Sequence, residues 1–95
     1  MQITPYSNVN KVLDSLLSEL QIVLGDHLVG VYLFGSLTAG DFDETISDMD
    51  LLVAITHRLD TASFNALDKM HQRVTRQFPR WEGRLQLAYV SRHAL

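Results

Sequence analysis

The run MDLLVAI, residues 49–55, is apolar on both faces of the strand it would form. Such a strand does not sit at an edge; it is central, with neighbours on either side and cover above and below. Two further runs read as strands. HLVGVYLF, residues 27–34, is rich in β-branched and aromatic residues and stops at Gly35. In GRLQLAYV, residues 83–90, Leu85, Leu87 and Tyr89 alternate with Arg84, Gln86 and Ala88, as in a half-buried strand.

Two amphipathic helices complete the pattern. Val9, Val12, Leu13, Leu16, Leu17, Leu20, Val23 and Leu24 recur at helical spacing; Ser7 or Asn8 is expected to cap the start, and Gly25 to end the helix. A second helix is expected from near Thr61, with Phe64, Leu67, Met70, Val74 and Phe78 inward, Lys69, Arg73 and Arg76 outward, and Pro79 as its stop. GSLTAGDFDET, residues 35–45, has no period and reads as a loop. The order is helix, strand, loop, strand, helix, strand, in one domain spanning residues 1–95. Two helices cover only one face of so small a sheet, so a homodimer, another partner or a helical domain beyond SRHAL is expected on the other.

Composition narrows the classes of function. The chain lacks any apolar run near the roughly 18 residues that a membrane span needs, and its N-terminus does not read as a secretory signal. It contains no Cys, which removes disulfides and thiolate metal sites and fits a cytoplasmic protein. A formal net charge of -3 with no Lys/Arg run argues against broad capture of a nucleic-acid backbone.

The central strand opens on two carboxylates, Asp48 and Asp50. Side chains two apart in a strand share a face and lie roughly 6.5–7 Å apart along it. Like charges so placed call for a shared proton or a hard cation, and Gly35 to Asp50 contains no Lys or Arg. Mg²⁺ fits: it takes oxygen ligands and shares them with substrate phosphates, and two such ions serve in-line phosphoryl displacement. Gly35 after a strand lets backbone approach a ligand, and Ser36 adds a hydroxyl and an N–H suited to phosphate oxygens.

An apolar strand ending in Gly-Ser, a loop of about ten residues and then Asp-x-Asp opening the next strand resembles the polymerase β nucleotidyltransferase superfamily. YLFGSLTAGDF with SDMDLLV looks most like its aminoglycoside adenylyltransferase branch. The resemblance covers roughly residues 8–92, its specific part being Val31–Ile55. It implies an α/β (α+β) nucleotidyltransferase fold, a small mixed sheet with helices on one face. It also implies transfer of a nucleoside monophosphate, usually AMP from Mg-ATP, to a hydroxyl of a small acceptor with release of pyrophosphate. By that match Gly35 and Ser36 hold the triphosphate, and Asp48 and Asp50 are catalytic metal ligands.

Active members carry a third carboxylate on the strand after the second helix, where this chain has Gln86. An amide ligates weakly and cannot take a proton at neutral pH. Glu82 shares strand parity with Gln86 if the strand extends that far, and is the candidate substitute; the other reading makes it a solvated turn residue. Arg84 is the candidate for triphosphate or acceptor contact. Arg73 and Arg76 read first as a solvated helix face, Asp41 and Asp43 as loop polars, and Trp81 as a packing aromatic before a base-stacking platform. His27, His57, His71 and His93 show no ligand spacing. The alternative to an enzyme is a minimal module that binds a nucleotide or a protein, antitoxin-like, as the resemblance to stand-alone members implies.

Overall fold

The computed structural model describes residues 4–35, 42, 43 and 46–92. Helix α1 spans Ser7–Leu24, strand β1 Leu28–Phe34, strand β2 Met49–Ile55, helix α2 Thr61–Gln77 and strand β3 Leu85–Ser91, with short 3-10 turns at Gly25–His27 and Pro79–Trp81. This is the α+β arrangement expected from the sequence. Hydrogen-bonded order in the sheet is β1-β2-β3, so MDLLVAI is central; β1 pairs with β2 antiparallel, and β2 with β3 in parallel.

The helix ends follow local chemistry, with one departure. No side chain caps α1, which starts after Tyr6. Asn10 instead fastens the segment ahead of the helix: its amide oxygen accepts from the Thr4 N–H and hydroxyl, both at 2.9 Å, and its Nδ2 donates to the Thr4 carbonyl at 2.8 Å. At the other end Gly25 adopts φ 55°, and its N–H donates to the Gln21 carbonyl. Asp60 caps α2 by accepting the Ser63 N–H at 2.7 Å.

The core lies on one face of the sheet. Met49, Leu51, Val53 and Ile55 of β2 point into it and are at most 2% exposed. Over them pack Val9, Val12, Leu13, Leu16, Leu20 and Leu24 of α1 and Leu67, Met70 and Val74 of α2. Full burial of one such aliphatic side chain contributes about 1.5–3 kcal/mol. Phe64, expected inward, is 62% exposed. The inward row of α2 runs through Ser63, Leu67, Met70 and Val74 at three- and four-residue steps, and Phe64 falls beside it. An ion pair between Arg73 and Glu19, 2.6 Å long and partly exposed, joins the outer sides of the two helices; such a pair adds about 1 kcal/mol at most.

On the opposite face the register sets three rows across the strands: Phe34, Asp50 and Gln86; Tyr32, Leu52 and Ala88; Gly30, Ala54 and Val90. Tyr32 leans back along β1, its ring and hydroxyl 3.1–3.3 Å from where a Cβ of Gly30 would sit. It fills the gap that the glycine leaves. Tyr32 and Phe34 remain 55% and 46% exposed, as expected of a face that the two helices do not cover.

Candidate active site

β1 ends where β2 and β3 begin, a direct result of one antiparallel and one parallel pairing. Gly35, Asp48, Asp50 and Gln86 therefore gather at one end of the sheet. Asp50 is half-buried between Phe34 and Gln86, its register partners on either side. Asp48, just ahead of the strand, is exposed and alternates to the same face.

Gly35 is required there for two reasons. Its φ of 76° lies in the left-handed region, and a Cβ on it would overlap Oδ2 of Asp50. The bare backbone thus packs directly on the carboxylate. Ser36 lies outside the described residues, as do Asp41 and His93.

The segment leading into Asp48 is held by backbone contacts. The Asp43 carbonyl accepts the N–H of Ile46 at 3.2 Å and of Ser47 at 2.8 Å, while the Asp43 N–H donates to the Ser47 hydroxyl at 2.9 Å. Asp43 so acts as an organiser of the turn. Arg84 clamps the same segment from the β3 side: Nε and Nη2 donate to the Ser47 carbonyl at 3.1 and 2.8 Å, and Nη1 donates to the Arg80 carbonyl at 3.1 Å. The Met49 N–H returns a bond to the Arg84 carbonyl at 2.7 Å. The guanidinium, assigned on the sequence to a triphosphate or acceptor, is engaged with the backbone carbonyls of Ser47, immediately before Asp48, and of Arg80. It also stacks on Trp81, 4.2 Å from the ring centroid. Trp81 is buried and stacks in turn on Phe42, with centroids 6.4 Å apart, which makes it a packing aromatic.

Gln86 sits beside Asp50 in the parallel ladder, and its Nε2 donates to the Gly83 carbonyl at 3.3 Å. Strand parity does not reach Glu82. β3 begins at Leu85, and Glu82 closes the 3-10 turn, lining a cavity of about 470 Å³ with His71, Gln72, Thr75, Arg76 and Pro79. Next to that cavity His71 Nε2 lies 2.6 Å from the Tyr89 hydroxyl. Burial lowers the His71 imidazole below its ordinary value, with Asp68 opposing, and burial pushes the Tyr89 phenol up.

No three His, Cys, Asp or Glu converge as a metal cage among the described residues. The donor set still fits a hard cation. Asp48 and Asp50 are acceptor-only oxygens on one face, with no Lys or Arg paired to either among the described residues, and Mg²⁺ commonly takes just one or two carboxylates and completes its shell from water and phosphate. Sequence reasoning missed the Arg84 clamp, because an arginine bound to main-chain carbonyls leaves no spacing signature.

Comparison with known families finds one whose model, described as a nucleotidyltransferase domain, matches residues 9–85. Neither the curated proteins nor the solved structures give a match.

Proposed function

Because the chain belongs to the nucleotidyltransferase domain family, we propose that it transfers AMP from Mg-ATP to a hydroxyl of a small acceptor such as an aminoglycoside, with release of pyrophosphate. The observation that carries the reading is the contact between the bare Gly35 backbone and the Asp50 carboxylate, with Asp48 on the same face. Asp48 and Asp50 would hold the divalent ion, whose contribution when bound is to orient the triphosphate and neutralise its charge. Gly35 lets the chain pass close to the phosphates, and Ser36 is assigned to them by the same reading. Arg84 keeps Asp48 in place through Ser47.

In the transfer the acceptor oxygen bonds to the α-phosphorus as the bond to pyrophosphate breaks, and the hydroxyl proton goes to solvent. Gln86 cannot receive it. A positioned base is worth typically 10²–10⁴-fold, so this chain is expected to be a slow transferase. The acceptor would approach over the uncovered sheet face, where a helical domain or a second copy of the chain would complete its pocket.

Gln86 supports a second reading, a module that binds Mg-nucleotide or a protein without turnover, antitoxin-like. Pyrophosphate release from Mg-ATP with an aminoglycoside panel separates the two, read beside Mg-ATP binding for the wild type, Asp50→Asn, Gln86→Asp and Glu82→Gln. The transferase reading expects acceptor-dependent release that Asp50→Asn abolishes, Gln86→Asp raises by about 10²-fold and Glu82→Gln leaves unchanged. Binding that needs Asp50, with no release even in Gln86→Asp, makes it a module. Nucleotide binding that ignores Asp50 removes the site assignment.

A further inference from the structure

The end of the sheet remote from Asp48 and Asp50 holds a second cluster of ligating side chains. Leu28 opposes Ile55, and the Thr56 N–H donates to the His27 carbonyl at 2.9 Å, so the backbone fixes residues 27 and 56 side by side. His57 follows directly. The Thr56 hydroxyl oxygen lies 3.1 Å from His27 Nδ1 and 2.9 Å from His57 Nδ1, and the rings meet edge to face with centroids 4.4 Å apart. A hydroxyl has one proton to give. It donates to one Nδ1, and the other ring must carry its own Nδ1 proton and donate to the oxygen. Two imidazoles in complementary tautomers therefore converge on one point, both exposed to solvent.

Asp60 adds negative charge nearby. Its carboxyl is held below the ordinary range chiefly by the Ser63 N–H, and His57 and His27 contribute in the same direction. No other ligating residue closes the cluster into a cage of three among the described residues.

We propose that His27 and His57 form a two-histidine site for a borderline divalent transition-metal ion, Zn²⁺, Ni²⁺ or Cu²⁺. Imidazole nitrogens suit these ions, whereas the oxygen pair at the other end of β2 suits Mg²⁺. The six steps along the strand from Asp50 to Thr56 separate the two ends by roughly 20 Å. The sites are thus distinct in place and in chemistry. Binding requires both Nδ1 atoms bare: the ring protonated there moves its proton to Nε2 through solvent, and the Thr56 hydroxyl turns away. Water fills the remaining positions, which makes the site open and exchangeable.

The test is titration of the full chain with Zn²⁺ or Ni²⁺ alone, by calorimetry and by NMR of the imidazole resonances. Saturable binding is expected, with the His27 and His57 resonances perturbed together. His27→Gln and His57→Gln are each expected to weaken it at least about tenfold, while His71→Gln has no effect. Circular dichroism of the variants checks that they fold, as substitution of two exposed side chains predicts. Absence of saturable binding up to about 1 mM, or binding that leaves the His27 and His57 resonances unperturbed, overturns the proposal.

Discussion

Replacing Arg84 with alanine is expected to loosen the segment that carries Asp48. Its two bonds to the Ser47 carbonyl share one acceptor and count as one strong interaction; the bond to the Arg80 carbonyl is exposed. A hydrogen bond from a charged donor nets about 1.5–3 kcal/mol, and a cation–π contact with a partly exposed cation about 0.5–1 kcal/mol. Taking the low end for a half-exposed side chain, the loss is about 2–3 kcal/mol. In a domain of this size that lowers Tm by on the order of 10–20 °C. Far-UV circular dichroism follows the unfolding, and Trp81, the one tryptophan of the chain, reports the clamp through its emission in the folded state. Arg84→Lys keeps the charge but cannot span two carbonyls, so it is expected to recover less than half of the loss. An Arg84→Ala protein that melts within about 2 °C of wild type, with unchanged emission, would refute the reasoning.

Gly35→Ala sets a Cβ against Asp50 Oδ2 on a backbone of φ 76°. It is expected to cost about 1–2 kcal/mol in urea unfolding and to weaken Mg-ATP binding at least tenfold; a variant that binds and unfolds like wild type contradicts the close packing. His71 has a folded-state pKa below its unfolded value of 6.5, so it contributes stability above about pH 6.5 that is lost as pH falls through the folded value. Melting temperature should therefore decline below pH 6.5, and His71→Gln should flatten that decline; an equally steep profile in the variant assigns the dependence elsewhere.

The sequence was a good guide wherever burial has a period. β2 was legible as the central strand because apolar residues at both odd and even positions mark a strand flanked by neighbours rather than an edge. The helical stripes likewise gave α1 and α2. Phe64 was misplaced because periodicity fixes a stripe only to within a turn, and the inward row of α2 runs through Ser63. Asp48, Asp50 and Gly35 were legible as a group because their spacing brackets a loop between two strands. Contacts that depend on chain reversal carry no such trace: Arg84 reaching Ser47, Glu82 turning into the α2 cavity, and His27 meeting His57 across the β1–β2 pair are tertiary facts. The helix cap failed for a local reason, since the Asn10 amide ties down Thr4 where a Ser7 or Asn8 cap was expected.

The alternation along β2 couples the carboxylate end to the interior. Met49, Leu51, Val53 and Ile55 lock the phase of the strand, because a slip of one residue would turn all four into solvent and bring Asp50 into the core. The orientation of Asp50 is therefore enforced by side chains that never approach a substrate. Substitutions around the carboxylates can alter chemistry while this phase holds, whereas an insertion or deletion within Met49–Ile55 disturbs interior and site together. The carboxylate end of β2 is in this sense indexed by the apolar row on the other side of the strand.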